Sequence, residues 1–113
     1  MSETSGDELL GVLAALASPH RLRIIGALMS RRLHVSELAR QVGMSRPLVH
    51  MHLRRLEAAG LVAGHLELSA EGRAMRFVEV LPFSLHLTPT LVACAATTLT
   101  DMTNQRDTQS KEK

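Results

Sequence analysis

Val35-Ser-Glu-Leu-Ala-Arg-Gln-Val-Gly43 runs through Met44 into Ser45-Arg-Pro-Leu-Val-His-Met-His-Leu-Arg-Arg-Leu-Glu-Ala-Ala-Gly60. The pattern predicts two short helices joined by a tight glycine turn. Ser36 stands where a side-chain oxygen caps the first helix, and Gly43 stands where a left-handed residue ends it. Ser45 caps the second. Pro47 falls in its first turn, where a missing N–H had no intrahelical partner, and Gly60 closes it.

Successive residues turn by ~100° around a helix axis. That puts Leu48, Val49, His52, Leu53, Leu56 and Ala59 on one apolar arc of the second helix. Pro47, His50, Met51, Arg54 and Glu57 lie opposite, with Arg46 and Arg55 at the two borders. His50 and His52, two residues apart, point to different sides and do not form a pair for one metal ion. His52 reads as a half-buried structural histidine. A short, well-capped helix with an apolar inside and a polar, basic outside is suited to the major groove of duplex DNA.

The flanks extend this pattern. Ser5-Gly-Asp-Glu8 has capping-box form, and Leu9, Val12, Leu13 and Leu16 follow at helical spacing, predicting a helix over about 6–17. Ser18-Pro19 opens another, with Leu22, Ile25, Leu28 and Met29 as its buried stripe and an end near Arg31. Leu33-His34-Val35 fits a minor strand. Beyond Gly60 the period changes: 61–68 and 74–80 read as strands around the turn Ser69-Ala-Glu-Gly-Arg73. Thr88-Pro89 starts a last helix to about Met102, with Leu91, Ala95, Leu99 and Met102 on one face. Thr103–Lys113 reads as a polar, frayed tail outside a domain over 1–102.

Charge narrows the partner. The 113 residues carry a net charge of only +2, but Ser18 to Gly60 holds eight arginines against Glu37 and Glu57. Arginine's planar fork matches phosphate and guanine edges. Arginine excess alone also fits a GC-rich genome; its clustering points to a polyanion. The apolar share of 45% with only two aromatics (Phe77 and Phe83) suits helices and offers no stacking platform for single-stranded RNA. Cys94 is the single cysteine, so no intrachain disulfide forms. The longest apolar run, Leu9 to Ala17, is far below the ~20 residues of a membrane span. A cytoplasmic protein without membrane association is expected. No nucleophile–base–acid set or phosphate loop appears, so the chain does not read as an enzyme.

The order helix, helix, helix-turn-helix, β-hairpin, helix resembles the ArsR/SmtB family of winged-helix transcription regulators. Leu16-Ala-Ser-Pro-His-Arg-Leu-Arg-Ile-Ile25, Ser36-Glu-Leu-Ala39, Ser45-x-x-Leu-Val-x-x-His-Leu-x-x-Leu56 and Ala59-Gly-Leu-Val62 carry the resemblance. It implies a mainly α, dimeric winged helix-turn-helix with a small β-hairpin, acting on double-stranded DNA. Arg46, Pro47, His50, Met51 and Arg54 would then face the major groove, in agreement with the helical projection. Ser45 would bind a phosphate beside the helix N-terminus. Arg73, with Arg76 as a second candidate, would reach the minor groove or its phosphates from the wing. Glu67 and Glu71 oppose that contact, so the helix is expected to contribute more than the wing.

Relatives pair their first and last helices across a two-fold axis. Here Leu9, Val12, Leu13 and Leu16, with Leu91, Val92, Ala95 and Leu99, would form that homodimer surface, though part of each stripe must cover its own core. Two recognition helices about one DNA turn apart would favour an inverted repeat. The family's metal sites are degenerate: His34 and Ser36 replace one Cys-x-Cys pair, and the last helix offers only Cys94, Thr98 and Asp101, with His86 before it. No metal ligand set is assigned, although a divalent ion on less typical ligands among these residues stays open. Control by a regulatory partner protein, another ligand or protein concentration also stays open, as does whether the regulator represses or activates. The rival class is a winged-helix module that binds protein without touching DNA.

Overall fold

The computed structural model describes residues 4–100. Within them α1 (Gly6–Leu16), α2 (Pro19–Leu28), β1 (Leu33–His34), α3 (Val35–Val42), α4 (Arg46–Ala58), β2 (Val62–Leu68), β3 (Ala74–Val80) and α5 (Pro89–Ala96) follow in order. By contacts the chain divides into two compact units, residues 14–83 and the described parts of the two chain ends, 4–13 with 84–100. The expected tail Thr103–Lys113, and Met102 and Asp101, lie outside the described residues.

In the unit of residues 14–83, α3 and α4 form the helix-turn-helix. Gly43 takes φ 71°, and its N–H reaches the carbonyls of Ala39 and Arg40. Met44 N–H reaches the Ala39 carbonyl at 3.0 Å. A residue with Cβ is strained in that left-handed conformation, so glycine sets the turn. Ser45 Oγ accepts from Leu48 N at 3.3 Å, and α4 leaves it with Pro47 in the first turn. Val49, His52, Leu53 and Leu56 form the buried side of α4, with Ile24, Leu28, Leu33, Leu38, Leu61 and Val78 completing the core. Of the six residues projected inward, Val49, His52, Leu53 and Leu56 are buried, His52 more deeply than the half-buried position expected, while Leu48 and Ala59 are half-buried.

β3 lies at the centre of a three-stranded antiparallel sheet, β1-β3-β2. The hairpin register runs from Val62 opposite Val80 to Leu68 opposite Ala74, and β1 pairs Leu33 with Val78 and His34 with Phe77. Arg32 ties this sheet together: its guanidinium lies 4.4 Å over the Phe77 ring centre and grips both carboxylate oxygens of Glu67. Those hydrogen bonds hold the Glu67 carboxyl below the usual carboxylate range.

Four expectations need correction. The buried stripe of α2 is Arg21, Ile24 and Leu28, whereas Leu22 and Met29 are 55% and 67% exposed. Ile24 takes the core position assigned to Ile25, because Arg21 turns inward and brings the residues at its own helical spacing with it. The helix also stops at Leu28 rather than near Arg31. The N-cap of α3 is His34, not Ser36: His34 Nδ1 accepts from Glu37 N, and the Glu37 carboxylate accepts from His34 N, both at 3.4 Å. The last helix ends at Ala96 instead of about Met102. Threonine chemistry accounts for that end. Thr97 Oγ1 donates to the Cys94 carbonyl at 2.7 Å and Thr98 Oγ1 to the Ala95 carbonyl at 2.9 Å, competing with helix propagation.

In the unit of the chain ends, Ser5 and Glu8 form the expected capping box, with bonds of 3.2 and 3.1 Å. Gly6 N donates to Thr98 Oγ1 at 2.6 Å, and a Cβ at Gly6 would stand 2.3 Å from the Ala95 carbonyl oxygen. Glycine thus lets α1 and α5 approach. Leu9 and Ala95 are buried, while Val12, Leu13, Leu91 and Leu99 are half-buried; Leu10 and Val92 are large apolar side chains left exposed. Leu16, in the other unit, is half-buried.

Candidate nucleic-acid interface

The outer side of α4 is open. Ser45, Arg46, Pro47, Met51 and Arg54 are exposed, and His50 is half-buried. Between this helix, the start of α3 and the hairpin loop lies a groove of about 480 Å³. Its walls include His34, Ser36, Arg46 and His50 on the helical side and Ser69, Glu71, Arg73 and Arg76 on the hairpin side. The fold therefore brings four of the anticipated contact residues, Arg46, His50, Arg73 and Arg76, to one concave surface. Ser45, Pro47, Met51 and Arg54 continue the exposed helix surface outside its lining.

Each side chain has a local cause for its position. Ser36, displaced from its expected capping role, accepts a hydrogen bond from Arg46 Nη1 at 2.9 Å. That bond orients Arg46 at the entrance of α4; the link between α3 and α4 was not visible in the sequence. The wing loop is closed by Ser69 N to the Arg73 carbonyl at 2.8 Å and by Gly72 N to the Ser69 carbonyl at 2.9 Å. Gly72 has φ 85°, and Arg73 N donates to Ser69 Oγ at 3.1 Å. The loop thus projects Arg73 outward, and the side chains of Arg73 and Arg54 have no ion-pair partner among the described residues.

Arg76 has a different role from Arg73. Its Nη2 donates to Glu57 Oε2 on α4 at 3.0 Å, which ties β3 to the recognition helix. A Cβ at Gly64 would lie 2.9 Å from Glu57 Oε2 and 3.0 Å from Arg76 Nη2, so the bare backbone of Gly64 leaves room for this pair. The acidic residues are likewise redistributed. Glu67 is engaged by Arg32, while Glu71 lines the groove. The basic cluster is consequently smaller than the sequence count: Arg21 is buried and Arg31 and Arg32 bind Glu37 and Glu67. Arg46 and Arg54 keep their charge at the surface without an acidic partner among the described residues.

Behind the interface, His52 is 6% exposed and its Nδ1 lies 3.0 Å from Arg21 Nη1. Guanidinium only donates, so Nδ1 is the acceptor and a neutral ring carries its proton on Nε2. That proton closes Nε2 to a metal ion. Among the described residues no three His, Cys, Asp or Glu side chains gather in a metal-binding group. His34 Nδ1 is engaged in capping α3, and Cys94 is exposed.

Burial first, and then the neighbouring Arg21, His20 and Arg55 charges, hold the His52 imidazole below the ordinary histidine value. The unfolded chain, with an ordinary histidine near ~6.5, therefore takes up a proton before the folded chain does. This contribution to stability is complete above ~6.5 and is lost as pH falls from there through the depressed folded value. Urea midpoints are expected to decline on acidification, and the decline should shrink in His52→Asn. An identical pH dependence in both proteins would remove His52 as its source.

A helix-turn-helix flanked by a hairpin, with a cation-lined groove between helix and loop, defines a winged helix-turn-helix protein. The family model described as "Bacterial regulatory protein, arsR family" matches residues 18–63. An uncharacterized HTH-type transcriptional regulator of Methanocaldococcus jannaschii is 37% identical over 73 residues, covering 65% of this chain and 76% of that protein. Among solved structures, NolR from Sinorhizobium fredii matches with a TM-score of 0.56 at 24% identity, over 80% of each chain. A homodimeric winged helix-turn-helix DNA-binding domain from Mycobacterium bovis matches with a TM-score of 0.58 at 20% identity, over 95% of this chain and 85% of that one. The two structural likenesses bear on the fold.

The chain belongs to the ArsR family of bacterial regulatory proteins; it is a transcriptional regulator with a DNA-binding winged helix. No single helix among the described residues is long and apolar enough to cross a membrane.

Proposed function

We propose that the chain acts as a homodimer that binds an inverted repeat in promoter DNA, with α4 in the major groove and the hairpin loop over the adjacent backbone. The observation that carries this reading is the division of α4: its inner side is buried in the core, while Arg46, Pro47, Met51 and Arg54 face outward beside the groove. Ser45 and Arg46 sit at the helix N-terminus, where backbone N–H groups favour phosphate. His50, Met51 and Arg54 follow along the side that base edges would meet. Arg73 supplies the wing contact.

The surface of α1 and α5 supports the dimer. Leu10 and Val92 are exposed, and Val12, Leu13, Leu16, Leu91 and Leu99 keep part of their apolar surface. Leu9 and Ala95 act beneath that surface rather than on it. The M. bovis relative is itself described as homodimeric, which agrees with pairing here.

Selection of duplexes from a random pool by the purified protein tests this function. An enriched inverted repeat with half-site centres about one turn, ~34 Å, apart is expected. Affinity for it should fall with salt at a log–log slope of about −0.9 per phosphate contacted. No enriched sequence, together with salt-insensitive capture of a protein partner, would instead favour the interaction-module reading.

The Glu57–Arg76 pair yields a further expectation. Glu57→Gln removes a negative charge beside the interface and releases Arg76 toward phosphate. Non-specific DNA affinity should rise, with a salt slope steeper by up to about 0.9. Stability should change by no more than about 1 kcal/mol, since the pair is part-exposed. An unchanged slope in a salt titration would keep Arg76 as a strut only.

A further inference from the structure

We propose that Arg21 is a positioning residue for DNA recognition: buried on α2, it fixes the rotation of α4 about its axis by joining the end of α1 to the imidazole of His52. The proposal rests on the reading of α4 as the DNA-facing helix. Arg21 is 9% exposed, and no carboxylate pairs with it among the described residues. A buried guanidinium without a counter-ion is costly unless its donors are otherwise used. Here Nε donates to the Ala15 carbonyl at 2.6 Å and Nη2 to the Ala14 carbonyl at 3.3 Å. These are carbonyls in the last turn of α1, where helical partners become scarce; that of Ala14 also accepts Ala17 N at 3.3 Å. Nη1 then donates to His52 Nδ1 at 3.0 Å.

Because the guanidinium is rigid and planar, two of its edges relate the imidazole directly to the α1 terminus. His52 occupies the inner side of α4, next to Met51 and two residues from both His50 and Arg54. Any rotation that breaks the Arg21 bond also moves these outward side chains. The orphaned atom of the ring fits this role. Nε2 is buried without a hydrogen-bond partner among the described residues. The ring thus leaves one nitrogen unsatisfied while Nδ1 stays on Arg21. A filler histidine would be expected to favour a partner for either nitrogen.

The charged and titratable groups around His52 are His20 and Arg21 on α2 and Arg55 on α4. The His20 and His52 ring centres are 5.4 Å apart. Among the described residues, none of these charged neighbours is a carboxylate that would balance an imidazolium. A proton on Nδ1 would remove Arg21's acceptor and set one cation against another. Acid should therefore weaken DNA binding through His52.

The test uses the full chain and the duplex that it selects, in a His50→Asn background that leaves His52 as the one imidazole on α4. Imidazole ¹⁵N NMR should show neutral His52 with its proton on Nε2 and Nδ1 as acceptor. At about pH 7.5, His52→Leu should weaken DNA binding about tenfold or more, by leaving Arg21 unpaired. His52→Asn places Oδ1 at the Nδ1 position and should stay within about threefold of the parent background. Helix propensity and apolar burial predict the reverse order, with Leu the milder change. Between about pH 7.5 and about 5.5 the parent background should lose affinity while retaining helical circular dichroism, and His52→Asn should lose less.

A proton on Nδ1, or Leu binding as well as Asn, would overturn the proposal. If His52→Leu fails to fold, the NMR tautomer and the parent-versus-Asn pH profiles decide. If the parent chain selects no duplex at any pH, the DNA reading falls and the positioning role with it; the NMR result then judges the Arg21–His52 pair separately.

Discussion

Arg54→Ala is expected to weaken binding to the selected duplex by ~1–3 kcal/mol and to relax base preference at one position in each half-site. Arg54 is exposed on the outer side of α4 and has no ion-pair partner among the described residues. Truncating it therefore removes a contact to DNA without breaking one inside the protein. The pattern of loss identifies the contact. A bidentate bond to guanine would be lost at one base pair. A phosphate contact would be lost uniformly across sequences, with a salt slope shallower by about 0.9. Binding isotherms on the selected site and on single-base variants distinguish these outcomes, and unchanged affinity for every duplex would take Arg54 out of the interface.

Leu56→Ala should have the largest effect on stability, a loss of about 2–5 kcal/mol. Leu56 has no exposed surface and lies on the inner side of α4. Its carbonyl also accepts Leu61 N at 3.0 Å where the helix hands over to β2. Truncation would leave a cavity between the recognition helix and its support, and a small domain has little stability in reserve. Urea denaturation checks this directly. A loss below about 1 kcal/mol would contradict the packing described for α4. DNA binding by the variant should fall in proportion to the unfolded fraction, unlike Arg54→Ala, which should bind poorly while fully folded.

Much of the architecture was legible because it is written in local chemistry. Gly43, Ser45, Pro47 and Gly60 mark the boundaries of the helix-turn-helix, and α4 has one apolar and one polar arc. Local rules reach no further than neighbouring turns. Leu22, Ile25 and Met29 make as good a stripe by spacing as the observed one, and periodicity cannot anticipate an arginine placed inside. Arg21 enters the core only because Ala14, Ala15 and His52 supply acceptors from other elements. Ser36 is a standard capping residue, so its use by Arg46 and the transfer of the cap to His34 were hidden as well. A run of threonines after Ala96 held the one readable hint that the last helix would be short.

The candidate site was legible in the same measure. The residues on α4 follow from the helical projection, whereas the function of each arginine depends on distant partners. Arg32 and Arg76 carry the same charge as Arg54, yet Glu67 and Glu57 hold them within the protein. Separations of 35 and 19 residues leave no periodic trace of those pairs. Charge counting therefore identified the right region but overstated the cations available to a polyanion.

Backbone amide NMR of the full chain, titrated with its selected duplex, tests the central claim most directly. The claim predicts the largest shift changes over Ser45–Arg54 and Ser69–Arg76, with the inner residues Val49 and Leu53 less affected than Met51 and Arg54. Shift changes confined to other surfaces, with the α4 signals unmoved at saturating DNA, would contradict it.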